Sequence, residues 1–485
     1  MEYPWEKWTV FLHPAQRHYV ERQYNGPARI SGSAGTGKTI VALHRAVFLA
    51  RQNPEAQILL TTFSQTLAIA LRLKLKRLIG NEPNIFSRIQ VHSIKGLAQR
   101  LYQEQFESPN IIEAKTLNSK LTHIASQTDH PFSLSFLWGE WKDVVDPWQI
   151  TTWDAYQSVP RLGRKTRLGS KQREILWSIF AQLIQDLHQS QAITWNRVFS
   201  TLADHLSTQK TSPFEFAIAD ESQDLGIAEL KFLAALGQAR PDSLFFTGDL
   251  GQRIFQQPFS WKSLGVKIQG RSHSLKINYR TSHQIRLAAD RLLPERITDV
   301  DGNPEDRSHT ISVFNGPIPR IKICADEAAE IQFVSEWLSH CLKADIKAEE
   351  IGVFVRNESL TDRAISAIEK IGLSALALHQ TDPYGDESLD NSIIVSPMHL
   401  AKGLEFRAVV AMACDDEVIP LQERIETISD EADLEEVYNT ERHLLYVACT
   451  RARDLLLVCG IDPASEFLDD LAYVEKSAQT QTQHR

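Results

Sequence analysis

The chain has 485 residues, 42% of them hydrophobic, which is typical of a globular protein and excludes disorder over most of its length. Its 52 basic and 61 acidic side chains give a formal net charge of −9, which disfavours a protein that coats nucleic acid non-specifically but allows a local basic channel. Five cysteines without a C-x-x-C pair, and the lack of an apolar run of about 18 residues, argue against a zinc site, a disulfide framework and a membrane span, so we expect a cytoplasmic protein.

Short apolar runs alternate with longer helical patterns, and this alternation predicts an α/β fold with parallel sheets. Predicted helices include Thr39–Arg51 and Glu436–Arg453, and residues 95–205 are predicted to be mostly helical. The polar stretches 296–320 and Gln380–Ser392 predict a connector and a turn. The predicted strands are, in chain order, Ala28–Ile30, Gln57–Thr62, Phe214–Ala219, Leu244–Thr247, Ile351–Val355, Ile393–Ser396, Val409–Met412 and Leu455–Val458.

A phosphate-binding loop follows the first predicted strand. The pattern G-x-x-x-x-G-K-[ST] is matched in full by Gly32, Ser33, Ala34, Gly35, Thr36, Gly37, Lys38 and Thr39, and a helical pattern follows it. Glycines let backbone N–H groups close around phosphate oxygens, and the helix N-terminus adds a favourable dipole. Lys38 is a point charge for the β- and γ-phosphates, and Thr39 offers a hydroxyl to Mg²⁺. The loop therefore predicts ATP and Mg²⁺ as cofactors.

Two carboxylates directly follow the strand that ends at Ala219. A carboxylate at the carboxyl end of a parallel strand can hold Mg²⁺ near a phosphate loop, and Asp220 suits that role. Glu221 is placed to orient and deprotonate the attacking water. An isolated Asp-Glu pair is usually a solvated loop, but its position after a buried strand and downstream of Lys38 favours the catalytic interpretation.

Eight short segments carry motif-like sequences in a set order along the chain. They are Leu12–Gln16, Thr61–Ser64, Val91–Ser93, Asp220–Asp224, Gly248–Phe255, Asn278–Ser282, His399–Phe406 and Glu441–Arg451. Together they resemble the UvrD/Rep (PcrA-like) DNA helicases of superfamily one, over nearly the whole chain. One such segment is weak evidence, whereas eight in the family's order are specific.

The resemblance implies two RecA-like P-loop domains with parallel sheets flanked by helices, plus a helical insertion in the first domain. Residues 1–94 and 206–275 would form the first, ATP-binding domain, and residues 95–205 its insertion. Residues 276–474 would form the second domain, and 475–485 a flexible tail. Long family members carry a large insertion in the second domain; near residues 380–392 it is absent or reduced, because only about forty residues separate Arg356 from His399.

The resemblance also implies roles for individual residues. For catalysis, Gln252 would sense the γ-phosphate, and Arg280 and Arg451 would act as arginine fingers. For the nucleotide, Gln16 would read adenine, Tyr279 would stack on it and Glu405 would reach the ribose. DNA contacts would come from Phe63, Ser64, His92, Phe255 and His399. Core packing for the aromatic residues and salt bridges for the arginines are the alternatives.

The leading prediction is an ATP-dependent 3′→5′ single-stranded-DNA translocase and helicase that acts on single-stranded and tailed duplex DNA. The alternative is a nucleic-acid-stimulated ATPase switch that licenses a partner nuclease or toxin with little unwinding of its own, which the short second domain favours. An RNA-directed motor is disfavoured, because nothing in the sequence reads a 2′-hydroxyl. A metabolic P-loop kinase leaves the second-domain arginine motifs unexplained. Repair, plasmid maintenance and phage defence remain open as pathways.

Overall fold

The computed structural model describes residues 11–472, apart from 160–167, 239, 255–258, 295, 308, 379–390 and 427–430. The chain divides into two compact units. Unit 1 consists of the residues up to Gly32, then Gly37–Leu275 and Thr298–Glu305. Unit 2 consists of Ser33–Thr36, Lys276–Ile297 and the residues from Asp306 onward. The predicted turn at Gln380–Ser392 and the predicted tail lie largely or wholly outside the described residues.

Unit 1 is built around a six-stranded sheet in the order β3-β2-β4-β5-β1-β6, and every strand pair in it is parallel. The strands β1, β2 and β5 are buried along their whole length, as expected when helices cover both faces. The six strands are β1 (Ala28–Ser31), β2 (Ile58–Thr62), β3 (Ile89–Ser93), β4 (Phe216–Ala219), β5 (Leu244–Gly248) and β6 (Ser272–Ser274).

Helices pack on both faces of this sheet. Consecutive residues of β2 point to opposite faces, so Leu60 joins the core formed with α2 and α3, whereas Leu59 joins the core formed with α5, α10 and α11. These helices and their short neighbours are α1 (Pro14–Glu21), α2 (Lys38–Gln52), α3 (Gln65–Ile79), α4 (Pro83–Phe86), α5 (Ile94–Gln105), α10 (Trp195–Thr208) and α11 (Ile227–Gly237).

The region predicted to be mostly helical is helical in the residues that the structure describes. Between α5 and α10 lie α6 (Ala114–Ser126), α7 (Leu134–Glu140), a π-helical turn (Trp141–Val145), α8 (Trp153–Ser158) and α9 (Ser170–Gln189). These elements have their own core, which includes Trp141, Tyr156 and Phe180. The Tyr156 hydroxyl donates to Glu140 over 2.8 Å, which satisfies a carboxylate that is fully buried.

Unit 2 contains a second six-stranded parallel sheet, in the order β11-β16-β15-β12-β14-β13. Earlier in unit 2, the short strand β7 (Ile277–Asn278) pairs with β10 (Ile311–Ser312). The chain between them contains a second short pair, β8 (Arg296–Thr298) with β9 (Pro304–Asp306), and its residues Thr298–Glu305 are counted in unit 1. The predicted connector 296–320 therefore contains short paired strands. The strands of the sheet are β11 (Arg320–Cys324), β12 (Ile351–Val355), β13 (Ser374–Ala377), β14 (Ser392–Pro397), β15 (Phe406–Ala411) and β16 (Ala452–Ile461).

The helices of unit 2 bury apolar faces against this sheet. Val334 and Leu338 of α13 and Ala364 of α14 share a core with Val353 of β12 and Val410 of β15. The helices are α12 (His283–Asp290), α13 (Glu327–Lys343), α14 (Thr361–Glu369), α15 (Gln422–Glu426), α16 (Glu431–Cys449) and α17 (Phe467–Leu471). Within the described part of the chain, none of the helices has the length and apolarity that a bilayer crossing requires.

The predicted helix Glu436–Arg453 is too long at its carboxyl end. Helix α16 ends at Cys449, and β16 begins at Ala452. The Thr450 hydroxyl bonds the carbonyl oxygens of Tyr446 and Val447, and Arg451 Nε donates to the Val447 oxygen over 2.9 Å. These side chains occupy the last helical carbonyls, so the chain turns into the strand four residues earlier than the apolar pattern indicates.

Candidate functional site

The loop Gly32–Gly37 joins β1 to α2, and two of its glycines have left-handed backbones. Gly35 has φ 80° and Gly37 has φ 83°, values that non-glycine residues adopt only with strain. Within unit 1, a Cβ on Gly37 would lie 2.6 Å from Gln16 Nε2; within unit 2, a Cβ on Gly35 would lie 2.4 Å from Asn278 Oδ1. The positive φ angles and these close approaches favour glycine at both positions, and a glycine-rich loop before a helix can direct backbone N–H groups at a phosphate.

Lys38 begins α2 and is only 7% exposed. Its Nζ donates to the Gly32 carbonyl oxygen over 2.7 Å and lies 3.7 Å from Asp249 Oδ2. Asp249 follows β5, is fully buried, and also accepts from Gln252 Nε2 over 2.6 Å. The sequence analysis singled out Lys38 and Gln252 but missed Asp249 between them, although the Asp lies in the Gly248–Phe255 segment.

Asp220 stands at the carboxyl end of β4, beside the loop helix. Its carboxylate accepts from the Thr247 hydroxyl over 2.5 Å and is also hydrogen-bonded to Thr39. Burial, and secondly the charge of Glu221, raises the pKa of Asp220 to about 6. A hydroxyl and a carboxylate are oxygen ligands, the kind that Mg²⁺ prefers when phosphates complete its coordination, so Thr39 and Asp220 fit this ion.

Glu221 has the left-handed backbone φ 55°, ψ 41°, which is uncommon for a residue with a Cβ. Its carboxylate accepts from Gln223 Nε2 over 2.6 Å, while Gln223 Oε1 accepts from the Asp249 backbone N–H over 3.0 Å. Gln223, which the sequence analysis did not assign, thus connects the carboxyl end of β4 to that of β5. Such strain is typical of residues whose side chain must point into a site.

Gln16 is buried in the first turn of α1. Its side-chain oxygen accepts from the His13 backbone N–H over 3.1 Å, and this bond closes the capping box of the helix. The close approach of its amide to Gly37 places Gln16 beside the phosphate loop, within unit 1. The resemblance assigned Gln16 to adenine, and its position agrees with a nucleotide contact without testing that role.

Unit 2 includes the middle of the loop, Ser33–Thr36, together with the segment after β7. Asn278 Nδ2 donates to the Ala34 oxygen over 2.8 Å, and the Tyr279 backbone N–H donates to the Gly35 oxygen over 2.9 Å. Asn278 Oδ1 accepts from the backbone N–H of Arg280 over 2.9 Å. Asn278 was also missed as a single residue, although it opens one of the eight segments.

Arg280 and Glu405 are brought together in unit 2. Arg280 Nη1 lies 2.8 Å from Glu405 Oε1, and Nη2 donates to the Thr450 oxygen over 3.2 Å. Arg451, the next residue, is 2% exposed and directs Nε to the Val447 oxygen. Burial raises the pKa of the Tyr279 phenol to about 12, so this ring is neutral at physiological pH.

Three of the predicted DNA contacts lie at the carboxyl ends of β2 and β3. Thr61 pairs in register with His92, and Phe63 and Ser64 follow β2 directly. Ser64 caps α3 through a bond from the Leu67 N–H, and Phe63 is half-buried, so part of its ring packs against protein. His399 lies in unit 2, and Phe255 is outside the described residues.

Two family models match the chain in order. The UvrD/REP helicase N-terminal domain matches residues 12–259, just over half of the chain, and the UvrD-like helicase C-terminal domain matches residues 368–461. No curated protein matches. Among solved structures, the C-terminal domain of a possible DNA helicase from Lactobacillus plantarum is 19% identical, with a TM-score of 0.28 over 40% of this chain and 94% of that one. The chain belongs to the UvrD/Rep family of ATP-dependent DNA helicases.

Proposed function

We propose that this protein is a 3′→5′ single-stranded-DNA translocase that unwinds tailed duplex DNA at the expense of ATP. The observation that carries the proposal is the buried network in unit 1 that runs from Lys38 through Asp249 to Gln252, and from Asp249 through Gln223 to Glu221. It joins the phosphate loop to the carboxylate that would act on water. The polarity and the unwinding rest on the family resemblance.

The residues of unit 1 would bind and activate the reactants. Lys38 would hold the β- and γ-phosphates, and Thr39 and Asp220 would hold Mg²⁺, which when bound neutralises phosphate charge. Glu221 would accept a proton from the attacking water, and Gln252 would sense the γ-phosphate. The loop residues Gly32, Ser33, Ala34, Gly35, Thr36 and Gly37 would direct backbone N–H groups at the phosphates.

The residues of unit 2 would supply positive charge and hold the nucleoside. Arg280 and Arg451 would stabilise the charge that develops on the γ-phosphate. Because Arg280 is paired with Glu405, its guanidinium would have to leave this carboxylate to reach a phosphate, which would free Glu405 for the ribose. Tyr279 would stack on adenine, and Gln16 of unit 1 would hydrogen-bond it.

DNA binding would be independent of sequence. Phe63 and Phe255 would stack on bases, at about 1–3 kcal/mol each, and Ser64, His92 and His399 would contact the backbone. Alternating grip in successive nucleotide states would then give stepping. We further propose a cytoplasmic location, on the cysteine usage and the lack of an apolar run, and DNA repair as one of the three pathways that the resemblance leaves open.

Unwinding of matched duplexes with a 3′ or a 5′ single-stranded tail tests this function. We expect ATP-dependent unwinding of the 3′-tailed duplex only. Glu221→Gln should bind ATP and DNA but fail to unwind, because its amide cannot accept the proton from water. Unwinding from the 5′ tail would overturn the polarity, and an unchanged hydrolysis rate in Glu221→Gln would exclude Glu221 as the base.

A second candidate is an ATP-gated switch subunit that licenses a partner nuclease or toxin. The observation that favours it is the short connection between β12 and β14, in which the structure describes α14 and β13 but no helical subdomain within the described residues. DNA-stimulated ATP turnover without unwinding of either tailed duplex would support this candidate over the first.

A further inference from the structure

A cavity of about 280 Å³ lies along β3, which is the edge strand of the sheet in unit 1. We call it the edge pocket. Its lining includes Arg72 of α3, Phe86 of α4, Ser87 directly after α4, Gln90 and His92 of β3, and Arg100 of α5. All of these residues belong to unit 1. The pocket is therefore formed by four consecutive elements, α3, α4, β3 and α5, around one edge of the sheet.

The guanidinium of Arg100 is held in place inside this pocket. Its Nη1 and Nη2 each lie 3.1 Å from Gln90 Oε1, and Nη1 lies 3.3 Å from His92 Nε2. A neutral amide and an imidazole orient the group without neutralising it. Glu104, one helical turn further along α5, lies 3.6 Å from Nε and is half-exposed, so it shields the charge only in part.

Arg72 adds a second positive charge. It is exposed on α3, and among the described residues no carboxylate forms an ion pair with it. No aspartate or glutamate lines the described part of the pocket. Burial, and secondly the charges of Arg100 and Arg72, lowers the pKa of His92, which lines the same pocket.

We propose that the edge pocket binds a phosphate group of the DNA backbone through Arg72 and Arg100. Guanidinium groups match phosphate oxygens in geometry as well as in charge. A DNA phosphate is favoured over a free one because the pocket shares β3 with His92, whose strand end adjoins Phe63 and Ser64. The inference rests on the proposed DNA binding and adds a contact that no motif contains.

The salt dependence of DNA affinity, measured without nucleotide, tests the pocket. Each phosphate contact contributes about 0.7 to the slope of log affinity against log salt for single strands. We expect Arg100→Gln and Arg72→Gln each to lower that slope by about 0.7 on single-stranded DNA. Arg77→Gln removes the same charge from an exposed site on α3 outside the pocket and should keep the wild-type slope.

Slopes equal to the wild-type slope in both pocket variants would overturn the proposal, as would an equal decrease in Arg77→Gln. Arg72 is exposed, so its variant keeps the test valid if Arg100→Gln fails to fold. Titration with inorganic phosphate at constant ionic strength separates the two sources: phosphate binding that Arg100→Gln abolishes, with an unchanged DNA slope, would contradict DNA as the ligand. These measurements need no ATP. Failure of the wild type to unwind DNA would therefore refute the proposed motor, whereas the salt slopes alone would decide whether the pocket binds a DNA phosphate.

Discussion

The two units treat their buried charges differently. In unit 1, the hydrogen bonds to Asp220 come from the hydroxyls of Thr247 and Thr39, and its pKa is raised. In unit 2, Glu441 is fully buried and accepts from Arg356 over 2.5 and 2.6 Å and from Arg424 over 2.8 Å. The carboxylate of Asp220 is thus held by hydroxyls, and a cation would stabilise its charge, whereas the carboxylate of Glu441 is held by two guanidinium groups.

A second buried network in unit 2 follows the same rule. Arg363 of α14 pairs with Glu330 of α13 and, over 2.6 Å, with Asp415. Asp415 also accepts from the Ile461 N–H, and Glu330 from the Ala413 N–H. Because both carboxylates are held by a guanidinium and by backbone N–H groups, this network serves the fold. Asp220 differs from them in its position, at the carboxyl end of a parallel strand beside the phosphate loop, where a carboxylate can hold a cation.

The largest expected effect concerns the two arginines assigned to catalysis. Arg280→Ala should lower kcat by about 10³-fold or more, with a smaller change in ATP affinity, because an arginine finger acts mainly in the transition state. Arg451→Ala should lower kcat similarly and also destabilise the fold, since its buried guanidinium bonds the end of α16. Steady-state ATP turnover and thermal unfolding of both variants check this, and near-normal turnover in both would refute the finger assignment.

The next largest effect concerns the stability of variants that remove an ion-paired carboxylate of unit 2. Glu441→Ala should lower the free energy of unfolding by about 3–5 kcal/mol, because Arg356 would be left buried without a partner. Glu405→Ala breaks an ion pair of which the carboxylate is 39% exposed, and should cost no more than about 1 kcal/mol. Denaturant unfolding measures the free energy of unfolding of both variants. Equal losses would contradict the distinction between the Arg356–Glu441 pair, which stabilises the fold, and the Arg280–Glu405 pair, which would separate when Arg280 binds a phosphate.

Gln16 gives a smaller effect in unit 1. Gln16→Ala should raise KM for ATP by about tenfold and reduce the preference for ATP over GTP, since one hydrogen-bonding partner of the base is lost. Gln16→Glu is the matched variant, because it keeps the size and the capping oxygen but loses the amide donor. Unchanged KM values for both nucleotides in both variants would exclude Gln16 as a base contact.

The smallest effect concerns pH and His399. Burial, and secondly the charge of Arg356, lowers the pKa of His399 below its usual value near 6.5. The unfolded chain therefore takes up a proton at a higher pH than the folded one, so this contribution to stability is complete above pH 6.5 and decreases as the pH falls. The Tm of the wild type relative to that of His399→Gln should therefore fall from pH 8 to pH 5.5, and a difference in Tm that does not change with pH would contradict a lowered pKa of His399 in the folded protein.

The fold class and the family were predictable from the sequence, and both are confirmed. The buried strands β2, β4 and β12 are continuous apolar runs, which is why they were located closely. Strand β6, Ser272–Ser274, is short and polar and gave no periodic signal. The end of α16 was predicted four residues too late because the side chains of Thr450 and Arg451 bond the last helical carbonyl oxygens. The periodicity of apolar residues gives no information about such bonds.

The candidate site was predictable as a set of motifs but not as a network. The loop Gly32–Gly37, Lys38 and Asp220 follow from strand, loop and helix order alone. Asp249 and Gln223 were missed because their bonds join strand ends far apart in sequence. The pairing of Arg280 with Glu405, 125 residues apart, likewise depends on tertiary structure. The roles of these residues in catalysis and DNA binding stay predictions.

The central claim is that the loop around Lys38 powers a DNA-dependent motor. Steady-state ATP turnover of wild type and Lys38→Ala, each with and without single-stranded DNA, tests it most directly. We predict strong stimulation of the wild type by DNA, and turnover lower by about 10²–10³-fold or more in a folded Lys38→Ala. Retained turnover in Lys38→Ala, or wild-type turnover that DNA does not change, would contradict the account.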